Sequence, residues 1–337
     1  MRLAVRHIQV PRFVRVSLGS AMMLGLVEGV VDAMPSTAYL LTYHRGRCVA
    51  NCGFCPQARQ SRSRMDLLSR VTWPRFRTEK VASSIGQVAP KGFIKRVCIQ
   101  AVNYRGVLED VLSLINALKT ETNIPISVCC QPLKAKHIDE LAKAGIDRIS
   151  IPIDAATERI FDEVKGRGVG GPYSWKDQIE ALEKASEILG KGKVSTHLIV
   201  GLGEKDDEMA HVIQLLTDRG VFPGLFAFTP ISGTMLESRG RPSVDRYRRI
   251  QLAHCLITRG MVRYEGMRFS GSGAFVDFGL PEEALRRVVL SGEPFLTSGC
   301  PGCNRPFYNE APSGPIYNYP RKLSVEEVSE IRKQIGV

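Results

Sequence analysis

The sequence predicts an α/β fold of the TIM-type barrel class, and three observations support this prediction. Strand-like apolar runs alternate with helical runs from about residue 37 onward, which is typical of parallel βα units. Six such units follow one another without a Gly-x-Gly-x-x-Gly phosphate loop, which favours a complete or nearly complete barrel over a doubly wound sheet. A cysteine-rich loop follows the first of these strands, and barrel chemistry is expected at that end of a strand.

Each element is predicted from its hydrophobic periodicity. Strands are expected at residues 38–42, 96–101, 126–130, 148–153, 194–200 and 225–228, with a further one near 266–269. Helices are expected at residues 107–119, 136–144, 177–189, 208–219 and 244–258. The apolar segment 17–31 is expected to form a helix against one barrel end, because Glu28 and three glycines interrupt it before the ~20 apolar residues that a membrane span needs.

Composition divides the chain into three regions. We expect an N-terminal helical extension at residues 1–36, the barrel at residues 37–278 and a tail at residues 279–337. The tail is rich in proline and glycine between Gly299 and Pro320, so it cannot form a long helix and is predicted to wrap across a barrel face. A final short helix is predicted after Ser324, which forms a capping box with Glu327.

Composition also bounds the class of protein. A hydrophobic share of 44% and an aromatic share of 7% suit a soluble globular chain of 337 residues. The nine cysteines follow no secretory signal, so we expect reduced thiols and a cytoplasmic location. The formal net charge of +12 would suit either a nucleic acid or an acidic protein partner. Since no RNA-binding signature accompanies the charge, a nucleic acid is the less favoured partner, and no membrane partner is expected.

Three cysteines, Cys48, Cys52 and Cys55, form a C-x3-C-x2-C loop. Three thiolates at this spacing can bind three irons of a 4Fe–4S cluster and leave the fourth iron open to an outside ligand. A zinc knuckle is the alternative, but tetrahedral zinc usually takes four protein ligands with C-x2-C pairs. The odd triplet, with Phe54 inside its last spacing, favours the iron–sulfur cluster.

This loop and its continuation, Cys52-Gly53-Phe54-Cys55-Pro56-Gln57, resemble the radical S-adenosylmethionine (SAM) superfamily and in particular its biotin synthase branch. The resemblance implies that the open iron binds SAM and that the cluster cleaves it to a 5′-deoxyadenosyl radical. It also implies that an acid after the fourth strand binds the ribose and that a glycine turn after the fifth strand contacts the adenine. The residues expected to bind the cofactor are Phe54, Gln100, Asp154, Ile199, Gly201, Glu204 and Arg268.

Two of these expectations have structural alternatives. From its sequence position alone, Asp154 could equally be a helix N-cap. The turn at Gly201 could be a simple strand-to-helix connection that needs permissive backbone angles. Pro152 stands where biotin synthases have an asparagine, so ribose recognition would differ in detail.

The resemblance extends to an auxiliary cluster. In biotin synthases an arginine placed like Arg268, with cysteines from three strands, holds a sulfur-donating 2Fe–2S cluster. Here Cys98 matches the first cysteine, Cys129 or Cys130 matches the second, and Ser195 stands in place of the third. We expect a pair of tail cysteines to complete a second iron–sulfur site, although a zinc half-site or a surface turn is the alternative. The expected ligands are Cys98, Cys129, Cys300 and Cys303.

A biotin-synthase-like barrel with this change and this tail resembles one subunit of the archaeal two-protein lipoyl synthases. The resemblance implies sulfur insertion into an octanoyl chain on a carrier-protein lysine. The implied partners are an octanoylated lipoyl carrier protein, a second radical SAM subunit and an electron donor such as ferredoxin. Three rivals remain: a biotin synthase or another small-molecule radical SAM enzyme, a radical tRNA-modifying enzyme, and a non-enzymatic zinc or RNA-binding module.

Overall fold

The structure, a computed structural model, describes residues 10–336. Its strands, in chain order, are β1 (Phe13–Val16), β2 (Thr37–Thr42), β3 (Leu67–Leu68), β4 (Val71–Thr72), β5 (Arg75–Arg77), β6 (Arg96–Gln100), β7 (Ile126–Cys129), β8 (Arg148–Ser150), β9 (Val194–Val200), β10 (Val221–Ala227), β11 (Arg268–Phe269) and β12 (Phe275–Asp277). Its α-helices are α1 (Leu18–Met23), α2 (Thr78–Val88), α3 (Val107–Glu121), α4 (Ala135–Lys143), α5 (Glu158–Val164), α6 (Trp175–Leu189), α7 (Asp206–Asp218), α8 (Val244–Thr258), α9 (Glu282–Leu290) and α10 (Val325–Ile335).

One mostly parallel sheet positions everything else. Its eight strands lie in the order β10-β9-β8-β7-β6-β2-β1-β5. The run from β2 to β10 is parallel throughout, whereas β1 pairs antiparallel with both β2 and β5. Because the parallel strands share one direction, the loops after them meet at a single edge, which is where the chemistry of such folds is found. The predicted α/β class with a parallel sheet is confirmed.

Hydrogen bonding between strands does not make this sheet a closed ring: over residues 10–336 no pairing joins β10 to β5. The strand expected near 266–269 is the short β11, which pairs with β12 in a separate hairpin and adds nothing to the main sheet. Its short length and partly exposed residues explain why it does not extend the parallel array.

The tail lies across the open side of the sheet. At one end, the Ser36 N–H donates to the Asn304 side-chain oxygen (2.9 Å), just before β2 begins. At the other end, the Thr229 hydroxyl donates to the Asn309 carbonyl (2.9 Å), just after β10 ends. Within β10 the Leu225 N–H donates to the hydroxyl of Ser298, an earlier residue of the tail. The tail therefore runs from the N-terminal to the C-terminal edge of the parallel strands.

Two N-terminal features differ from the prediction. The helix expected over residues 17–31 is confined to α1, and the chain then continues without helix or strand until β2. The strand β1 was not predicted, because four residues with two inward side chains give too short a pattern to recognise. Residues 1–9, part of the expected extension, lie outside the described residues. In the described part of the chain, no helix has the length and apolar character that crossing a membrane requires.

The main core forms between the parallel sheet and the helices that return between its strands. Its centre consists of fully buried β-branched and leucine side chains, since the parallel strands are covered on both faces. The predicted capping box at the start of α10 is confirmed, with the Ser324 hydroxyl accepting from the Glu327 N–H and the Glu327 carboxylate accepting from the Ser324 N–H.

Candidate active site

The cysteine loop, residues 48–55, follows β2 at the C-terminal edge of the sheet. The Gly53 N–H donates to the Val164 carbonyl (2.7 Å), and the Gly53 carbonyl accepts from the Leu236 N–H (3.0 Å). A β-carbon at Gly53 would lie 3.3 Å from the Leu236 side chain. The loop is therefore wedged between the end of α5 and the segment after β10, with little room for a larger residue.

Polar side chains fix the loop from inside. The Asn51 side chain donates to the Val169 carbonyl (2.6 Å). The Arg47 guanidinium donates to the Pro56 carbonyl (2.8 Å) and to the Ser63 carbonyl (2.6 Å). These bonds join the residue before Cys48 to carbonyls that follow Cys55 and join the loop to the segment after α5, so the three thiols are presented by a pre-formed loop.

Strand register brings a second set of residues into the interior. Tyr39 of β2 lies opposite Cys98 of β6, and Cys98 lies opposite Ser127 of β7. One layer further along, Gln100 lies opposite Cys129. Since side chains two residues apart in a strand point to the same face, all five share the inner face of the sheet.

One cavity of about 230 Å³ extends from the cysteine loop to the tail. It lies inside the curve of the parallel strands, and its lining is largely apolar with thiols at both ends. Most of the predicted site residues border it: Cys48, Cys52, Phe54, Cys55, Cys98, Gln100, Cys129, Asp154, Ile199, Cys300 and Cys303. The structure thus brings together residues that are up to 255 positions apart in the chain, since both Cys48 and Cys303 line this cavity.

The tail cysteines enter this cavity near the N-terminal edge of the strands. The Cys303 sulfur lies 3.1 Å from the Tyr39 hydroxyl oxygen. The Cys300 sulfur lies 3.6 Å from the Ser127 hydroxyl oxygen. A tight turn joins the two cysteines, with the Cys303 N–H donating to the Cys300 carbonyl (2.9 Å).

Cys98 is the strand cysteine that faces this tail pair. Both tail thiols act electrostatically on it, which adds to the effect of burial in raising the pKa of Cys98. The Gln100 side-chain amide donates to the Cys98 sulfur (3.1 Å). Cys129 also interacts with Cys98, whereas Cys130 packs into the main hydrophobic core. Of the two alternatives, Cys129 is therefore the one that belongs with Cys98.

Asp154 is held by a buried cation that the sequence did not predict. The Lys165 ammonium, which is fully buried, donates to the Asp154 carboxylate (2.7 Å) and to the Pro152 carbonyl. Asp154 has a φ of +66°, a left-handed conformation that non-glycine residues rarely adopt. The helix N-cap alternative is wrong, because Thr157 caps α5.

The glycine turn after β9 is shaped by its own acid. The Glu204 carboxylate accepts from the Gly201 N–H (2.8 Å) and the Leu202 N–H (2.9 Å), and it pairs with Arg246 (3.0 Å). Glu204 therefore holds the turn, while Ile199 is the residue of this segment that borders the cavity. The resemblance assigned both residues to cofactor binding, but only Ile199 lines the cavity.

Arg268 does not reach the cavity. It lies in the β11–β12 hairpin, its side chain is 73% exposed, and it pairs with Asp277 (2.8 Å). The arginine that does line the cavity is Arg305 of the tail, whose guanidinium lies 3.9 Å over the Phe226 ring and donates to the Ser298 carbonyl (2.7 Å). A motif match pointed to Arg268, and no local signal marked Arg305.

His197 also faces the cavity from β9, against the Phe226 ring. Burial, followed by the charges of Arg305 and Lys165, lowers the pKa of His197 to about 3, so the imidazole is neutral at physiological pH. Cys255, by contrast, is buried in α8 as a core residue.

The three thiols of the cysteine loop fit the ligand requirements of an iron–sulfur cluster. Burial raises the pKa of the Cys55 thiol to about 12 and raises the pKa of Cys52 as well, against the opposing charge of Lys165. Thiols with such pKa values must lose their protons when they bind a metal, so metal binding releases protons from the site. Nowhere in residues 10–336 do three cysteine, histidine or acidic side chains converge on a position for a single metal ion. This spacing is compatible with a cluster, because each thiolate of a cluster binds a different iron.

Comparison with known proteins also indicates a protein that binds an iron–sulfur cluster and SAM. The family model described as the Radical SAM superfamily matches residues 42–216. A biotin synthase of Sulfurihydrogenibium sp. is 26% identical over 202 residues, covering 58% of this chain and 56% of the relative. A biotin synthase of Cytophaga hutchinsonii is 24% identical over 278 residues, covering 79% of this chain and 76% of the relative. The chain thus spans little more than half of the first relative's length.

Among solved structures, a methylornithine synthase superposes with a TM-score of 0.51 at 13% sequence identity, covering 66% of this chain and 62% of that chain. At this identity the likeness is one of fold.

Proposed function

Because the chain belongs to the radical SAM superfamily, we propose that it is a sulfur-inserting enzyme and that its substrate is an octanoyl chain carried on a protein lysine. Membership implies a 4Fe–4S cluster and SAM, which when bound supply a hydrogen-abstracting 5′-deoxyadenosyl radical. One observation carries the proposal: a single cavity joins the cysteine loop to a second group of cysteines formed by β6 and the tail.

The residues of the chain have separate tasks in this proposal. Cys48, Cys52 and Cys55 would hold the cluster in a loop that is already fixed by hydrogen bonds. Asp154, held in position by its ion pair with Lys165, would accept hydrogen bonds from the ribose. The largely apolar walls between the two ends of the cavity would bind an alkyl chain and keep water from a radical.

The sulfur donor would be an auxiliary cluster held by Cys98, Cys129, Cys300 and Cys303, which we treat as a substrate because its sulfide is consumed. When bound, the adenosyl radical would take a hydrogen atom from the substrate carbon, and a sulfide of the cluster would then bond to that carbon while iron of the same cluster takes up the released electron. Zinc could be bound by the same thiolates, but it would provide neither sulfide nor an electron acceptor.

Support for an octanoyl substrate comes from two departures from biotin synthase. Ser195 stands where biotin synthases have the third cluster cysteine, and the tail supplies a cysteine pair in its place. The net charge of +12 is compatible with docking of an acidic lipoyl carrier domain. A second radical SAM subunit and an electron donor such as ferredoxin would complete the system.

The test compares wild-type protein with a Cys300→Ser/Cys303→Ser variant after anaerobic reconstitution. We expect the variant to lose about half of its iron and sulfide, since one of two clusters is lost, to keep forming 5′-deoxyadenosine, and to lose sulfur insertion into an octanoylated carrier domain. A Cys255→Ser variant is the matched control, because this thiol is buried in α8 away from the cavity. Full iron in the double variant would contradict the proposal.

A biotin synthase activity is the second candidate, favoured by the relatives named above. Parallel assays with dethiobiotin and with an octanoylated carrier domain separate the two. Turnover of dethiobiotin alone would replace the octanoyl assignment but leave the sulfur-insertion proposal in place.

A further inference from the structure

Each of the three cysteines that meet at the tail has a polar side chain next to its sulfur. Gln100 donates an N–H to Cys98 at 3.1 Å. The Tyr39 hydroxyl lies 3.1 Å from the Cys303 sulfur, and the Ser127 hydroxyl lies 3.6 Å from the Cys300 sulfur. All three partners come from the inner face of neighbouring strands, β2, β6 and β7. We call Tyr39, Gln100 and Ser127 the donor set.

The direction of the two hydroxyl bonds follows from metal binding by the thiols. The Arg305 backbone N–H donates to the Tyr39 oxygen (3.1 Å). The Arg96 guanidinium donates to the Ser127 oxygen (2.8 Å). A cysteine that binds a metal has lost its proton, so its sulfur can only accept a hydrogen bond. In the metal-bound protein both hydroxyls would therefore donate to sulfur.

These donors are held rigidly. The Tyr39 ring packs in a buried cluster with Trp73 and Val102, and only 5% of its surface is exposed. Arg305, which orients the hydroxyl, has a φ of +31°, a strained backbone conformation for a residue other than glycine. Strain of this kind persists only where surrounding contacts impose it, and here the contacts are those of its guanidinium with β10 and the tail.

We infer that the donor set consists of positioning residues that raise the reduction potential of the auxiliary cluster through Cys98, Cys300 and Cys303, three of its four proposed ligands. Hydrogen bonds to ligating sulfur stabilise negative charge there, and the reduced form of an iron–sulfur centre carries more of it. This inference rests on the proposed function, in which the centre accepts one electron when sulfide bonds to the substrate carbon. A higher potential favours that step.

The experiment is a redox titration of the full-length reconstituted protein, followed by electron paramagnetic resonance. Signals of the two centres are assigned by comparison with the Cys300→Ser/Cys303→Ser variant. We expect Tyr39→Phe, which removes one oxygen and keeps the ring, to lower the reduction equilibrium constant of the tail centre about tenfold, or ~59 mV for a one-electron couple. Ser127→Ala should shift it in the same direction by less, because its contact with sulfur is longer. The potential of the loop cluster should not move.

Tyr308→Phe is the matched control. Its hydroxyl is in the same cavity, but the described residues show no hydrogen bond from it to a cysteine sulfur, so the potential of the tail centre should be unchanged. Equal potentials in wild-type protein, Tyr39→Phe and Ser127→Ala would overturn the inference and leave the proposed function intact. A wild-type protein with no second centre would overturn both.

Discussion

The cysteine loop and the tail cysteines lie at opposite ends of one cavity, and they are built in different ways. The loop holds its three thiols within residues 48–55, and backbone N–H groups donate to their sulfurs, as those of Gln57 and Ala58 do to Cys55. The tail site assembles thiols from β6 and from residues about 200 positions later; the Gln100 side chain donates to Cys98, and the Cys303 sulfur is contacted by the Tyr39 hydroxyl as well as by the Arg305 backbone N–H. A site made within one loop keeps its geometry wherever the loop is found, whereas a site made between segments depends on the whole fold.

The groups around the two sites also differ. Near the loop, the buried Lys165 ammonium is paired with the Asp154 carboxylate. Near the tail site, the Arg305 backbone N–H donates to the Tyr39 hydroxyl, whereas the Arg96 guanidinium donates to the Ser127 hydroxyl and pairs with Asp147 (2.7 Å). The loop side therefore has a closed ion pair, while the tail side has a backbone N–H and a guanidinium that contact the hydroxyls of the donor set.

The largest expected effect tests the loop. Cys52→Ala should reduce 5′-deoxyadenosine formation under dithionite to the background of iron-free protein, because two thiolates cannot hold a cluster whose fourth iron is open. Production of 5′-deoxyadenosine is measured after anaerobic reconstitution. Cys255→Ala, a buried cysteine of α8, should behave like wild type. Wild-type cleavage by the Cys52 variant would remove the loop from the active site.

These two regions also show what could be predicted from the sequence. The loop was predicted because its chemistry depends on spacing alone, and the parallel strands were predicted because their apolar runs are periodic. Arg268 was expected in the cavity but lies outside it. A motif match carries no information on whether a short hairpin such as β11–β12 joins the main sheet. The roles of Tyr39 and Arg305 depend on register and on the path of a Pro/Gly-rich tail, neither of which leaves a local pattern.

The second prediction concerns the ion pair on the loop side. Asp154→Asn would leave the buried Lys165 ammonium with the Pro152 carbonyl and two aromatic rings but no carboxylate, and breaking a buried pair costs about 3–5 kcal/mol of unfolding free energy. Urea denaturation measures the loss. The Asp154→Asn/Lys165→Met double variant should recover most of it, because no uncompensated charge remains.

The control is the exposed pair of Arg64 and Asp66, whose side chains are 68% and 30% exposed. Asp66→Asn should cost less than about 1 kcal/mol, as is usual for surface pairs. Equal losses at Asp154 and Asp66 would mean that the Lys165 pair is not sealed from water. Only if Asp154→Asn keeps its fold can a change in SAM affinity be attributed to the ribose contact.

The third prediction concerns an acid that lies in the tail. Burial raises the pKa of Glu310 to about 7, above its usual value of 4.5, and one carboxylate oxygen is buried with no hydrogen-bond partner among residues 10–336. The folded state therefore holds a proton that the unfolded state releases between these two values, so stability falls as pH rises through this window. Above pH 7 the ionised acid costs about 3 kcal/mol.

Glu310→Gln should accordingly stabilise the protein at pH 8 by about this amount and by much less at pH 5. Unfolding free energies at the two pH values provide the measurement. A difference between variant and wild type that is the same at both pH values would show that Glu310 is ionised throughout, or neutral throughout. Because Glu310 is a tail residue, this pH dependence of the unfolding free energy should belong to the tail.

The last comparison sets a glycine of the turn after β9 against a glycine of the tail, and the tail glycine has the smallest expected effect on stability. Gly201 has a φ of +107°, and a β-carbon there would lie 2.9 Å from Pro242 and 3.2 Å from Phe228. Gly302, between the tail cysteines, has a φ of +77°, and a β-carbon would meet only the flexible Lys95 side chain at 3.4 Å. Both alanine variants pay backbone strain, but only the first adds a clash with rigid neighbours.

We therefore expect Gly201→Ala to destabilise the protein by about 3 kcal/mol and Gly302→Ala by about 1 kcal/mol, measured as unfolding free energy in urea. Iron content gives a second readout: Gly302→Ala should disturb the turn that aligns the tail cysteines and lower bound iron, while the loop cluster and 5′-deoxyadenosine formation persist. Full iron in Gly302→Ala would contradict this prediction. It would mean that the tail site keeps its thiols in place despite a change in the turn that joins them.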